Sequence, residues 1–349
     1  MALEQSERRH WVGIDLGGTK IMALLLDADF RVLAAERKKT KGMEGPDAFL
    51  ARVGKIVQDV LEKGGGSVGE LAGIGLGCAG PLDLERGILL EAPNLGWREI
   101  PLRETLERVF QCLVVVTNDV DAGTYGEFRF GTGQGARCVV GAFLGTGIGA
   151  GCVYEGQLLR GRIASCMEIG HLPMRTDGPL CGCGQRGCLE AMAGRLAIAG
   201  EAAVAAQRGQ APHLLERCGT DLASIRSGDL ASVVRVGDTA IEEIIRQAAR
   251  TVGIALAGVV NLLAPDLLIL GGGLVEAMPE LFLEEITAVV KSRAMAAFTQ
   301  SLRVERAALG DQATALGAAA LAADRQQSGK REVRSQCFDG AGSVWEARR

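Results

Sequence analysis

The apolar and polar positions of this chain lay out one structural plan twice. Residues 11–16 and 21–26 are β-rich apolar runs on either side of Gly17-Gly18, a pattern that predicts a hairpin. From Asp47 to Lys63, Phe49, Leu50, Val53, Ile56, Val57, Val60 and Leu61 recur at helical spacing, with Pro46 before them and Gly64-Gly65-Gly66 as the stop. A short strand is expected over Leu71–Gly77, running into Cys78-Ala79-Gly80-Pro81. The unbroken apolar run Cys112–Thr117 predicts a buried strand that delivers Asn118-Asp119 at its carboxyl end.

The second half begins the same way. Cys138–Leu144, then Gly145-Thr146-Gly147-Ile148-Gly149, then Ala150–Tyr154 again read as strand, glycine turn, strand. A hairpin in each half implies an internal repeat of fold rather than of sequence. A long helix is predicted from Thr239 to Leu263, with Ile241, Ile244, Ile245, Ala248, Val252, Leu256, Val259 and Val260 on its apolar face. Leu267–Leu270 is a buried strand ending in Gly271-Gly272-Gly273. An alanine-rich helix over about 313–323 precedes a polar tail from Asp324 that is expected to be mobile.

Length and composition narrow the class. At 349 residues the chain suits two domains of ordinary size, and 48% hydrophobic with 23% charged residues marks it as globular. A net charge of −4 argues against a nucleic-acid-binding surface, so small anionic ligands need local devices, for which the glycine turns are candidates. Residues 1–10 are polar and charged, unlike a secretory signal, and the long uncharged stretches around 138–154 and 251–265 are broken by glycines or by Asn261 and Pro265. No membrane partner is expected, and the ten cysteines read as thiols and metal ligands of a cytoplasmic protein.

Three groups of residues carry chemistry. In Asp15-Leu16-Gly17-Gly18-Thr19-Lys20 the glycines let phosphate oxygens approach the backbone; Thr19 adds a hydroxyl, Lys20 an ammonium, and Asp15 can hold Mg²⁺ through water. An ordinary tight hairpin would use Gly-Gly equally well, but Gly145-Thr146-Gly147 and the Gly271 triplet favour the phosphate reading. Asn118-Asp119 lies where active-site groups gather in open α/β sheets: Asp119 can accept a proton from a substrate hydroxyl that Asn118 orients, although either residue also suits a helix cap. The spacing His171-x9-Cys181-x-Cys183-x4-Cys188 supplies a closed tetrahedral zinc set, structural because no position stays open for a reactive water. Glu168 and Glu190 bracket that set and can bind vicinal sugar hydroxyls, with the second ring nitrogen of His171 as a donor; the plain alternative is two solvated glutamates.

These motifs, in this order, resemble the ROK family of bacterial sugar kinases and sugar-responsive repressors. The resemblance runs from about Val12 to about Ala322 and rests on the Asp15–Lys20 run, Asn118-Asp119, Gly145-Thr146-Gly147-Ile148-Gly149, Glu168-x-Gly170-His171 and the Cys181–Glu190 run. It implies a two-domain actin-like (ribonuclease H-like) α/β ATPase fold with a cleft between domains and a structural zinc loop. By matched position, Asp119 is the catalytic base, and Asn118, Glu168, His171 and Glu190 bind sugar, joined by Gly80 and by Asn94 in Pro93-Asn94-Leu95-x-Trp97. ATP falls to Asp15, Gly17, Gly18, Thr19, Lys20, Gly145, Thr146, Gly147, Gly271 and Gly272, and zinc to His171, Cys181, Cys183 and Cys188, with Mg²⁺ accompanying ATP. The domains expected are 1–118 completed by about 311–325, then 119–310, with 326–349 as the tail; a homodimer or homotetramer is expected. Two departures stand out: Cys166-Met167 replaces the Ala-Gly that often precedes the glutamate, and Asp121 stands where Asn or a small residue is common.

A repressor of this family carries a helix-turn-helix domain before the Asp-Leu-Gly-Gly-Thr motif. Here that motif starts at Asp15, so an enzyme is expected rather than a DNA-binding regulator. Among enzymes the Cys-Gly-Cys-Gly-x-x-Gly-Cys-Leu-Glu run resembles the glucose and N-acetylhexosamine branches. Glucokinase in glycolysis is the first reading, and N-acetylmannosamine or N-acetylglucosamine kinase the alternative, with ATP or polyphosphate as donor.

Overall fold

The computed structural model describes residues 9–18, 20–40, 45–92, 97–161 and 166–342, with side chains through Ser328. The predicted first hairpin is β1 (His10–Leu16) and β2 (Lys20–Leu26), antiparallel, with Leu16 opposite Ile21. β3 (Val32–Lys39) pairs with the far edge of β2. α1 (Pro46–Lys63) starts on a proline whose fixed φ suits a first turn, and it buries Phe49, Val53, Ile56, Val57, Val60 and Leu61. β4 (Leu71–Cys78) then runs parallel to β1. A small antiparallel sheet follows, made of β5 (Leu82–Asp83), β6 (Ile88–Ala92) and β7 (Trp97–Ile100). α2 (Leu102–Phe110) leads into β8 (Leu113–Asn118), parallel to β4, and α3 (Asp119–Phe130) begins where β8 ends.

The second sheet starts from β9 (Cys138–Leu144), β10 (Ile148–Tyr154) and β11 (Gln157–Leu158). Among the described residues, five α-helices separate it from its next strand: α4 (Leu189–Ala193), α5 (Arg195–Gln207), α6 (Pro212–Cys218), α7 (Ser227–Arg235) and α8 (Thr239–Leu263). β12 (Leu267–Gly271), α9 (Gly273–Ala277), α10 (Pro279–Arg293), α11 (Ala296–Thr299) and β13 (Arg303–Arg306) complete it, and α12 (Ala313–Gly342) ends the described chain.

The strand orders are β3-β2-β1-β4-β8 and β11-β10-β9-β12-β13. In each sheet the first two pairings are antiparallel and the last two parallel, so the expected repeat of fold is present strand for strand. Two compact units result: Met1–Gly126 with Gln312–Arg349, and Glu127–Asp311. The division thus falls inside α3, after Gly126, whereas the sequence placed it at Asn118-Asp119. Each unit has its own apolar core, centred on α1 and β4 in the first and on α8, α10 and the second sheet in the other. Among the described residues no helix is long and apolar enough to cross a membrane.

α12 corrects one expectation. The helix does not end near 323 but continues to Gly342. The stretch after Asp324 has no proline and is rich in Arg, Gln, Lys and Glu, residues with good helix propensity, so nothing in it forces a stop. Its first turns lie against the first sheet at backbone contact. A Cβ at Gly13 would lie 1.9 Å from the Ala315 carbonyl oxygen, and one at Gly75 would lie 1.9 Å from that of Ala318. Gly75→Ala should therefore force the helix off the sheet and destabilise by about 1–3 kcal/mol, the usual cost of overpacking. Gly54→Ala is the contrast. It lies within α1, where an added Cβ meets nothing within 4 Å, so it should stabilise by about 0.5–1 kcal/mol. Urea denaturation of both variants tests the pair.

Candidate active site

The carboxyl ends of β1, β4 and β8 are level, with Leu16 opposite Cys78 and Cys78 opposite Asn118. That register puts Asp15, Gly77 and Thr117 in one row beside the loops where ligands bind open α/β sheets. The Cys78 thiol senses both acids: burial first, then the charges of Asp119 and Asp15, push it far above its ordinary range. Asn118 does cap α3, its Oδ1 accepting the N–H groups of Val120 at 2.8 Å and Asp121 at 3.0 Å. Capping and substrate binding are compatible, because they use different ends of the amide; the NH₂ is what Asn118 offers a hydroxyl. The Asp119 carbonyl accepts the Thr314 hydroxyl at 3.2 Å, so α12 fixes the backbone that carries the acid.

In the first glycine turn the Gly17 N–H donates to the Lys20 carbonyl at 3.0 Å, and the Thr40 hydroxyl donates to the Gly17 carbonyl at 2.7 Å. A Cβ at Gly18 would meet nothing within 4 Å, so packing does not demand glycine there. Gly80, at φ 115°, turns the chain after β4. Thr19 and Asn94, assigned to ATP and sugar, lie outside the described residues, as do Pro93 and Leu95; next to that loop, Trp97 packs on Phe49 with ring centroids 5.1 Å apart.

In the second unit the Gly145 N–H closes a turn on the Gly147 carbonyl at 2.9 Å. Gly271-Gly272 ends the neighbouring parallel strand β12, and Gly272, at φ 85°, approaches so closely that a Cβ would lie 2.5 Å from the Leu144 carbonyl oxygen. Glu190, in α4, reaches this turn: its Oε2 accepts the Ile148 N–H at 2.9 Å, and a Cβ at Gly147 would lie 2.2 Å from the same oxygen. Glu190 is therefore half-buried and anchored, not solvated. Glu168 is exposed and precedes the short 3-10 turn Ile169–His171, whose last N–H donates to the Glu168 carbonyl at 3.0 Å. Met167 is held at φ 66°, at the position where the resemblance would place glycine. A side chain in that region costs on the order of 1–2 kcal/mol.

The ligand atoms of His171, Cys181, Cys183 and Cys188 all lie within 4.8 Å of one another. Cys183 Sγ is 3.7 Å from Cys188 Sγ, and Cys181 Sγ is 3.6 Å from His171 Nδ1. Bonds of about 2.3 Å to sulfur and about 2.05 Å to nitrogen set tetrahedral edges of about 3.8 Å (S···S) and about 3.6 Å (S···N). The donor set thus fits a closed four-coordinate metal site, with His171 Nε2 directed elsewhere. Backbone bonding at Gln185 holds the Cys183 thiol low, while burial pushes Cys188 up to about 12. Gly187 makes the fold of this loop possible: at φ 73°, its Cβ would lie 1.6 Å from the Arg175 carbonyl oxygen. Gly187→Ala should open the loop, lower the melting temperature and halve metal content or worse, as metal analysis of the purified variant can check.

Sequence reading missed the residues that hold these groups in place. Arg195 donates through Nη2 to the Thr146 hydroxyl at 3.0 Å and through Nη1 to the Ile225 carbonyl at 3.1 Å. It is the sole charge between Glu190 and Glu201, which is the signal that could have singled it out. Buried Glu127 accepts N–H groups of Thr132, Ala308 and Leu309 at 3.0, 3.1 and 2.7 Å, tying the end of α3 to the segment after β13.

Twin five-stranded sheets of one topology, with glycine turns in both and Asp15 and Asp119 at the carboxyl ends of parallel strands in the first, define a two-domain α/β protein of the actin-like ATPase class. Comparison with known proteins narrows this. The glucokinase of Streptomyces coelicolor is 34% identical over 271 residues, covering 75% of this chain and 81% of its own. A crystal structure of a ROK family glucokinase from Streptomyces griseus, solved with glucose and AMPPNP, superposes with a TM-score of 0.78 at 33% identity, covering 90% of this chain and 99% of its own. A xylose repressor from Caldicellulosiruptor bescii is 28% identical over 89% of this chain and 77% of its own. The ROK family pattern matches residues 11–325, and the chain belongs to the ROK family.

Proposed function

We propose that this protein is an ATP-dependent hexokinase that transfers the γ-phosphate of Mg-ATP to glucose, giving glucose 6-phosphate. The observation that carries the reading is the anchoring of Glu190. One carboxylate oxygen is spent on the Ile148 N–H beside the Gly145–Gly147 turn, which fixes where the other can meet a sugar hydroxyl. The identity to glucokinases supports glucose over an N-acetylhexosamine.

Each residue then has a task. Glu168, Glu190 and His171 Nε2 bind sugar hydroxyls, with Gly80 and Asn94 on the same substrate. Asn118 orients the reacting hydroxyl through its NH₂. As the hydroxyl oxygen bonds to the γ-phosphorus, Asp119 takes its proton and the bond to the β–γ bridging oxygen breaks, releasing ADP. The open space at Gly18 and the turn at Gly145–Gly147 suit close approach of phosphate oxygens, with Lys20, Thr19 and Thr146 as further donors and Gly271-Gly272 at the end of the strand next to the Gly145–Gly147 turn. Mg²⁺ travelling with ATP would supply charge neutralisation, and Asp15 would hold it through water. His171 Nδ1 and the three thiols hold zinc, which has a structural role because protein donors fill all four positions.

A panel of hexoses with Mg-ATP, compared by kcat/KM, tests the reading. Glucose should lead by at least about tenfold over N-acetylmannosamine and N-acetylglucosamine, since each is distinguished by a bulky group a fitted pocket rejects. Turnover of none of these sugars would overturn the assignment, and preference for an N-acetylhexosamine would move it to the other branch.

A further inference from the structure

Thr146 is the exposed hydroxyl of a turn whose residues 145–149 include no basic side chain. One nevertheless stands beside it. The first residue of α5, Arg195, makes three bonds into two segments: its backbone N–H donates to the Gly145 carbonyl at 3.0 Å and Nη2 to the Thr146 hydroxyl oxygen at 3.0 Å, both in the turn, and Nη1 to the Ile225 carbonyl at 3.1 Å. Ile225 is fully buried, and Ser227 just after it borders the other glycine turn, its hydroxyl 3.6 Å from where a Cβ of Gly273 would lie. The planar guanidinium is thus held between a rigid carbonyl and the Thr146 hydroxyl. Lysine cannot copy that fork with a single nitrogen.

We propose that Arg195 is a positioning residue for the phosphate donor, acting through Thr146. A threonine hydroxyl has one proton to give and two lone pairs to receive. With Arg195 donating to its oxygen, the Thr146 proton is turned away from the guanidinium. It becomes a donor for a phosphate oxygen seated against the Gly145–Gly147 turn. Arg195 also adds positive charge behind that hydroxyl, which strengthens it as a donor to an anion. The proposal rests on the reading of this turn as part of the ATP site, and it adds a residue that the motif itself does not contain.

The test compares Arg195→Gln, Arg195→Lys, Thr146→Val and the double variant Arg195→Gln/Thr146→Val, with KM for Mg-ATP, Kd for glucose and melting temperature measured on each. Arg195→Gln and Thr146→Val should each raise KM for ATP about tenfold or more, leaving the glucose Kd within about twofold. The double variant should be little worse than either single, because both act through one hydroxyl. Arg195→Lys, which keeps the charge and the fold, should recover less than half of the loss on a logarithmic scale. Full recovery by lysine, additive losses, or a glucose Kd that moves in step with KM for ATP would each overturn the positioning role. If Thr146→Val raises KM for ATP and Arg195→Gln does not, this proposal alone fails. If neither variant affects ATP, the phosphate reading of the turn fails with it.

Discussion

Asp119→Asn should lower kcat by about 10²–10⁴-fold while glucose and ATP Kd values stay near wild type, the signature of a lost general base. The substitution is nearly isosteric and the local bonds survive it. Asp119 Oδ1 accepts the Val120 N–H at 3.0 Å, which an amide oxygen does equally well, and the backbone carbonyl keeps the Thr314 hydroxyl. The cap of α3 comes from Asn118, so the helix should start at the same residue. What the amide cannot do is take the proton of the sugar hydroxyl. If Asp119 served only to begin the helix, kcat would be unchanged, and steady-state assays beside calorimetric titration of each substrate separate the outcomes. Thr314→Val offers a milder companion: losing the bond to the Asp119 carbonyl should lower kcat severalfold without removing the base.

Much of this architecture was legible because glycine punctuates it. Both hairpins announced themselves as apolar runs around Gly17-Gly18 and Gly145–Gly147, and α8 as an apolar stripe of helical period over Thr239–Leu263. α5 was not legible for the opposite reason. It buries Ile198, Ala199, Ala202, Ala203, Ala205 and Ala206, so its alanine-rich run shows little period to read. The small β5–β6–β7 sheet has strands too short for alternation to register. The reach of α12 depended on propensity alone, since its second half carries no apolar stripe that sequence would recognise as a helix face.

The site divides along the same physical line. Spacing was enough to suspect the metal set, because four donors within one loop need only local turns to meet. It was not enough for the contacts that aim the chemistry. Thr314 reaches Asp119 across 195 positions and Arg195 reaches Thr146 across 49, and no local pattern encodes either. Asn118 shows why a bland reading and a functional one need not exclude each other: its Oδ1 caps the helix, which leaves the NH₂ for the substrate contact proposed above. Met167 shows a substitution whose cost is visible only in the backbone, at φ 66° in the turn that presents Glu168.

Loss of the proposed zinc should do more to sugar binding than loss of any single side chain proposed to contact the sugar. Leu172 to Leu189 is closed by a few backbone bonds, among them Leu189 N–H to the Leu172 carbonyl at 3.0 Å and Cys181 N–H to that of Gln185 at 2.8 Å. The four donors add no cohesion by themselves, since three thiols and an imidazole within 4.8 Å attract one another weakly. A zinc ion changes this, with apparent binding energies of about 10–16 kcal/mol in small structural sites at neutral pH. Both acids proposed to bind sugar depend on the result: Glu190 follows two residues after Cys188, and Glu168 precedes His171 by three. Cys188→Ser removes a fully buried ligand, so the variant should carry far less than the roughly one zinc per chain expected of the native protein. Its glucose Kd should rise by about 10–100-fold or more, in line with losses seen when metal-site support is removed. Chelation of the native enzyme should reproduce the defect, and zinc should reverse it. The Gly17 turn lies outside this loop, so ATP affinity should change less than glucose affinity in both experiments. A zinc-free protein that binds glucose normally would show that the loop holds its shape, and aims Glu168 and Glu190, without the ion.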